Sequence, residues 1–393
     1  MTMFPKIELT DTHLSILEHA DRFARQQLHP LQERMDADEW WPDNLMKKIG
    51  GAGFLGITAP AEYGGTGLDF FASALVAQAF GKWNPAVCLS WGAHENLCIK
   101  SILGNGNDEQ KAKYLPGLID GSKVGAMCLT EPGAGSDAPG GMKTKARRDG
   151  DAYILNGTKT FITNGPIADV LLVYAKTAPD RGPNGISAFI VEKGFPGFLV
   201  ARKMVKMGCR GSQTGELVFE DCQVPVTNLL GEENRGAAIV MSGLDLQRTF
   251  FSLLGVGMAE RALELCIDHA RTRLQFGKPI AEFQLIQAKL ANMYTGLEAM
   301  RSLAYRVVAI ANDLEQVGGS RGELHRLAAA GILFGAESCM RILDDAVQIH
   351  GGSGLIWEME INRLYRAGKL LQIGAGTDEL RRLIISGELL RAR

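Results

Sequence analysis

Apolar residues recur at helical spacing through the first third of the chain. Leu17, Ala20 and Ala24, followed by Leu28 and Leu31, fall on one face, the spacing with which a helix buries a stripe. Trp40-Trp41-Pro42 reads as a loop, and Pro42-Asp43 suits the start of the next helix. Ala59–Gly67 is rich in turn formers, Phe70–Phe80 reads as another helix, and Asn107–Leu115 as a short one ended by Pro116-Gly117. Residues 8 to about 122 are therefore predicted to be helical.

The pattern then changes. Val124–Thr130, Tyr153–Leu155, Val170–Tyr174, Ile186–Val191 and Gly215–Phe219 are short β-prone runs. Gly, Pro, Asn and Asp separate them at intervals typical of antiparallel strands. From Gly236 onward long amphipathic segments return: Asp245–Arg271, Glu282–Glu315, Glu323–Gly351 and Asp378–Arg391. Helices, a β unit and helices again predict an α+β protein rather than alternating βαβ units. The expected division is an N-terminal helical domain (1–122), a middle antiparallel β-domain (123–235) and a C-terminal four-helix bundle (236–393).

Composition adds mainly exclusions. The 393 residues suffice for two or three packed units. A net charge of −2 gives no argument for a nucleic-acid partner or an anionic membrane surface. The seven cysteines are scattered singly and read as reduced, buried thiols. Neither a basic-then-apolar leader nor a membrane-spanning apolar run is visible. A cytoplasmic protein, or the mature matrix form of an organellar one, is expected.

Candidate chemistry is concentrated in three places. Gly51-Ala-Gly-Phe-Leu-Gly56 fits a dinucleotide fingerprint, but it trails the helical run Leu45–Ile49 and so reads as a helix end. No His, Cys or carboxylate set has metal-site spacing, and His94 and His350 read as structural or binding residues. Cys128-Leu-Thr-Glu-Pro-Gly-Ala-Gly-Ser-Asp137, by contrast, clusters backbone N–H groups, two hydroxyls and two carboxylates on a tight loop after a strand. Such a loop can wrap a polar heterocycle or an anion. Asn156–Gly165 offers an aromatic ring at Phe161 and a hydroxyl at Thr163, which in a strand would share a face and suit a planar, hydrogen-bonding ring system. The third place is the C-terminal set Arg271–Lys278, Gln348–Gly354 and Ile373–Glu379, with glycine-rich turns, cations and amides of the kind a pyrophosphate requires. Each of these also has a plain reading: a hairpin with one buried Phe, or helix caps and turns.

Taken together, these segments resemble the acyl-CoA dehydrogenases along the whole chain. Leu89-Ser-Trp-Gly-Ala-His, Thr163-Asn-Gly-Pro, Phe189-Ile-Val-Glu-Lys-Gly194, Met241-Ser-Gly-Leu-Asp-Leu246 and Ile373-Gly-Ala-Gly-Thr377 are similar to the isovaleryl-CoA branch of that family. The resemblance implies FAD as cofactor, an acyl-CoA substrate, electron-transfer flavoprotein as electron acceptor and a homotetramer. It implies that Leu129 and Thr130 hydrogen-bond the flavin pyrimidine edge, and that Phe161 and Thr163 lie beside the isoalloxazine. Thr377 and Glu379 are implied as contacts to the ADP side of FAD, while Arg273, Phe276, Gln284, Gln348 and Gly352 reach the FAD of a neighbouring subunit. Ser136, Asp245 and Arg248 are implied along the CoA moiety, with Leu89, Ala93, Leu97 and Leu244 around the acyl group.

The same resemblance exposes a departure. Most family members carry a base glutamate at the position that is Ala375 here, and the isovaleryl branch carries it at the position that is Gln247. Neither side chain can take a proton from a substrate carbon near neutral pH. Gly374 stands where straight-chain enzymes have a bulky aromatic, which implies room for a branched acyl chain. Glu95 falls off the face marked by residues 89, 93 and 97, which counts against it as a substitute base. Three readings remain open for Gln247. It could be a glutamate-to-glutamine change in an ordinary dehydrogenase. It could be natural in a non-redox lyase or desulfinase acting on a 3-substituted acyl-CoA. Or the protein could be a non-catalytic flavin or acyl-CoA binder. The desulfinase reading wants an arginine in the N-terminal helices, but none occurs between Met35 and Ala146, so Lys82 or Lys100 would have to replace it.

Overall fold

A computed structural model describes residues 7–317 and 321–391. The chain opens with helix α1 (Asp11–Phe23), whose N-cap Thr10 accepts from the His13 N–H while the His13 ring accepts from the Thr10 N–H. Ala20, Ala24 and Leu28 are fully buried, as their spacing predicts. The helix after the Trp40-Trp41-Pro42 loop, α2 (Leu45–Gly51), starts later than Pro42-Asp43 implies, because Asn44 first turns the chain through a left-handed conformation (φ +58°). The Gly51–Gly56 motif does end this helix. Helix α3 (Phe70–Trp83) is buried on nearly every side, and α4 (Pro85–Gly92) runs on through a π-helical turn, Ala93–Ile99. Helix α5 (Asp108–Ile119) does not stop at Pro116. Leu118 and Ile119 are buried beyond the proline, and that burial outweighs the missing hydrogen bond.

The strands are β1 (Gly125–Cys128), β2 (Lys145–Asp149), β3 (Ala152–Thr163), β4 (Val170–Lys176), β5 (Ile186–Glu192), β6 (Phe198–Lys203), β7 (Thr214–Pro225) and β8 (Leu229–Leu230). They form one sheet in the order β6-β7-β3-β2-β4-β5-β8, with β1 also paired to β4. The pairing is mainly antiparallel, as expected, but β1 runs parallel to β4, and β2 meets β4 in parallel at one residue pair. The spacing of β-prone runs carries no information on that crossover. Strands β2 and β6 escaped the pattern because they are largely exposed and carry little alternation.

The C-terminal part holds four long helices: α6 (Gly236–Thr272), α7 (Gln284–Val317), α8 (Arg321–His350) and α10 (Asp378–Arg391). A shorter helix, α9 (Glu360–Gly368), joins the expected four. Two glycines bring α3 and α6 into backbone contact: a Cβ on Gly81 would lie 2.8 Å from the Leu254 carbonyl, and one on Gly257 would press still closer on the Gln78 carbonyl. One apolar core therefore spans the helices from both ends of the chain, and a second fills the sheet. All seven cysteines are buried and unpaired. Among the described residues no helix is long and apolar enough to cross a membrane.

Candidate active site

A cavity of about 730 Å³ opens where the N-terminal helices, the sheet and the C-terminal helices meet. One wall is the α4 face and its π-helical continuation, with Leu89, Ala93 and Leu97 at four-residue spacing. A second wall is α6, contributing Leu244, Gln247, Arg248 and Phe251. Leu129, Thr130 and Ser136 enter from the loop after β1, Phe161 and Thr163 from the end of β3, and Gly374, Ala375 and Thr377 from the loop before α10. Segments far apart in sequence thus share one enclosure.

Phe161 and Thr163 reach the cavity by a route that strand alternation does not give. The β3–β7 register slips between Lys159 and Ile162, and Phe161 adopts φ +57°. A β-bulge of this kind re-aims a side chain. It turns Phe161 out of the sheet, leaving the ring 68% exposed against the cavity. An aromatic ring standing in the open, a hydroxyl two residues on and a polar loop opposite fit a flat heteroaromatic cofactor.

The loop carrying Ala375 is held by two buried guanidiniums. Arg248 Nε donates to the Ala375 carbonyl at 3.3 Å, and Arg381 Nη2 donates to the Gly374 carbonyl at 2.6 Å. Ala375 and Gly376 both have positive φ (+56° and +98°). Arg381 has no solvent exposure and pairs with Asp378 at 2.7 Å. Burial lowers its guanidinium to about 10, against the opposing pull of Asp378. Asp245, expected along the CoA, does not line the cavity: it is buried behind Arg248, accepting from Nη1 at 2.8 Å and bonded to His325 Nδ1 at 2.7 Å. Arg248 and His325 are the members of that group on the cavity wall.

Gly374 does not leave an empty space. A Cβ there would lie 2.9 Å from Phe251 Cε1 and 3.2 Å from the Leu370 carbonyl. The room vacated at position 374 is occupied by the Phe251 ring, one helical turn beyond Gln247.

Glu95 is not near the chemistry. Its carboxylate accepts the Gly56 and Ile57 N–H groups at 2.7 and 2.9 Å, and burial raises it to about 7 despite those donors. His94 bonds the Leu118 carbonyl and the Gly125 N–H, each at 2.8 Å, and burial lowers it to about 4. The expected cations for an anionic substrate group lie elsewhere too: Lys82 pairs with Glu264 at 2.6 Å, and Lys100 sits 4.6 Å over the Phe70 ring. Arg273, Phe276, Gln284, Gln348, Gly352 and Glu379 are exposed and outside the cavity, Phe276 at 94% on the tip of a two-residue hairpin turn. The sequence reading missed His325, Lys206 and Phe251. Phe251 alone carried a usable signal, lying four residues after Gln247 on one helix face.

Three family models cover the chain: acyl-CoA dehydrogenase N-terminal domain at residues 10–122, middle domain at 126–222 and C-terminal domain at 234–390. Isovaleryl-CoA dehydrogenase, mitochondrial, from Oryza sativa is 44% identical over 97% of this chain and 92% of its own. The butyryl-CoA dehydrogenase structure from Megasphaera elsdenii matches with a TM-score of 0.93 at 37% identity, over 98% of this chain and 100% of that one. An acyl-CoA dehydrogenase complexed with FAD from Bacillus anthracis matches with a TM-score of 0.90 at 38% identity, over 98% and 68% respectively. This chain belongs to the acyl-CoA dehydrogenase family and is an FAD-binding flavoenzyme.

Proposed function

We propose that the protein acts on a short branched acyl-CoA of the isovaleryl type, with Gln247 in the place of the proton-abstracting base. The observation that carries this reading is the convergence of Gln247, the Phe161–Thr163 bulge and the Leu129–Thr130 loop on one cavity. Bound FAD would supply the hydride acceptor for α,β-dehydrogenation. Leu129, Thr130, Phe161 and Thr163 hold its ring system in this reading, and Thr377 and Glu379 its ADP side. Leu89, Ala93, Leu97, Leu244 and Gly374 enclose the acyl chain, and Ser136, Arg248 and, behind it, Asp245 serve the CoA. The exposed set Arg273, Phe276, Gln284, Gln348 and Gly352 reaches the FAD of a neighbouring subunit in a homotetramer, and electrons leave to electron-transfer flavoprotein.

Within this site Gln247 can orient a thioester but cannot remove its α-proton, and Ala375 cannot substitute. The test is anaerobic flavin bleaching by isovaleryl-CoA, comparing this chain with Gln247→Glu. A general base is worth about 10²–10⁴-fold, so the variant should bleach faster by that factor. If both proteins bind the thioester and neither bleaches, the isovaleryl-type reading fails, and 3-substituted thioesters, with sulfite release from a 3-sulfinoacyl-CoA as the readout, become the substrates to test.

A further inference from the structure

Lys159 lies on β3 with no solvent exposure, where an ammonium is strongly unfavourable unless paired and hydrogen-bonded. Its Nζ donates to Glu131 Oε1 at 2.8 Å and to the Leu129 carbonyl at 3.1 Å. Glu131, also buried, accepts from the Lys143 N–H at 2.6 Å and the Thr144 N–H at 3.0 Å. Burial alone would raise this carboxyl, but Lys159 and the backbone donors together hold it below its ordinary value. One residue further along β3, the Thr160 N–H donates to the Thr130 carbonyl at 2.9 Å.

Both carbonyls of the 129–130 segment are thus drawn back toward β3. Every described peptide bond is trans, and in a trans peptide the N–H of residue 130 points away from the carbonyl of residue 129. Leu129, Thr130 and Glu131 line the cavity, and Lys159 lies behind them and does not. Tying the Leu129 carbonyl to Lys159 therefore turns the Thr130 N–H toward the cavity. The same lysine sits at the register slip that swings Phe161 out of the sheet. One buried side chain couples the two segments that were separate candidates in the sequence.

We infer that Lys159 is a positioning residue for the flavin, presenting the Thr130 N–H to the edge of the ring system through its bond to the Leu129 carbonyl. This rests on the reading that Leu129, Thr130 and Thr163 meet the flavin. A purely structural lysine would stabilise the fold without setting cofactor affinity, and three variants separate the roles. Lys159→Met removes the tether and strands a buried carboxylate. Lys159→Met with Glu131→Gln removes the tether without the stranded charge. Glu131→Gln alone keeps the tether. FAD dissociation constants are measured by flavin fluorescence on reconstitution, alongside thermal unfolding of the FAD-free proteins. Loss of a hydrogen bond from a charged donor corresponds to roughly 10- to 100-fold, and that weakening is expected in Lys159→Met and in the double variant. The double variant should regain thermal stability without regaining FAD affinity, and Glu131→Gln should bind FAD within about threefold of the parent. The inference is overturned if the double variant binds FAD like the parent, or if Glu131→Gln loses as much affinity as the lysine variants. Thr163→Val is the control on the underlying reading: if it too leaves FAD affinity unchanged, the assignment of this corner to the flavin is what fails.

Discussion

On the proposed reading of the cavity, Phe251 limits the length of the acyl chain. It lies one turn beyond Gln247 on α6, nearly fully buried, with its ring against Gly374 and packed edge-on to Phe250 at 5.7 Å between centroids. A chain whose α-carbon sits by Gln247 would meet this ring within a few carbons. Phe251→Leu withdraws the ring edge while keeping an apolar stem. Each ligand methylene newly buried contributes about 0.8 kcal/mol, which is roughly fourfold in affinity, and two give roughly 15-fold. The assay is titration of the oxidised flavin absorbance with butyryl-CoA and hexanoyl-CoA. Gln247 helps here, since slow proton removal lets binding equilibrate before reduction. The ratio of the two dissociation constants should shift roughly 15-fold toward hexanoyl-CoA, with a folding cost of about 1–3 kcal/mol. A shift below about twofold, with both proteins fully loaded with FAD, would refute the reasoning. Gly374→Ala provides the converse. Its Cβ would press on Phe251 at 2.9 Å, so acyl-CoA binding should weaken, and Phe251→Leu in the same chain should relieve the loss non-additively.

Other outcomes follow from the same geometry. Arg381→Met strips the Gly374 carbonyl of its donor and leaves Asp378 without its buried cation, so denaturant unfolding should show a loss of about 3–5 kcal/mol. His94 and Glu95 carry opposing proton linkages. Burial lowers His94 from 6.5 to about 4, so between those values the unfolded chain binds the extra proton and stability rises with pH. Burial raises Glu95 from 4.5 to about 7, so there the folded chain holds the extra proton and stability falls with pH. The two nearly cancel between pH 4.5 and 6.5, and His94→Gln should unmask a downward slope of about 1.4 kcal/mol per pH unit. Urea midpoints measured across that range would contradict this if the slope stayed flat.

Much of the site was legible because family motifs are local. Leu129, Thr130, Phe161, Thr163, Gln247, Arg248 and Ala375 all reach the cavity, and each belongs to a short segment whose residue types are matched to one chemical task. The sequence of helices, β-prone runs and helices likewise determined the class, since hydrophobic period distinguishes helix from strand within a few residues.

What the sequence left out depends on contacts between distant segments. Nothing in the local sequence singles out Lys159, and only the loop folding over it makes it a buried tether. Gly374 alone reads as free space, whereas α6 delivers Phe251 into that space from more than a hundred residues away. Asp245 reads as a ligand contact beside Arg248, yet α8 brings His325 against it and turns it into a support. The parallel β1–β4 pair and the late end of α5 have the same origin. Local preference differs by a kcal/mol or less per residue, about, and burial against a distant partner outweighs it. The sequence by itself therefore determined the family, the order of helices and strands, and the residue types that stand in each motif. The tertiary structure decided which side chains share the cavity and which stand behind them.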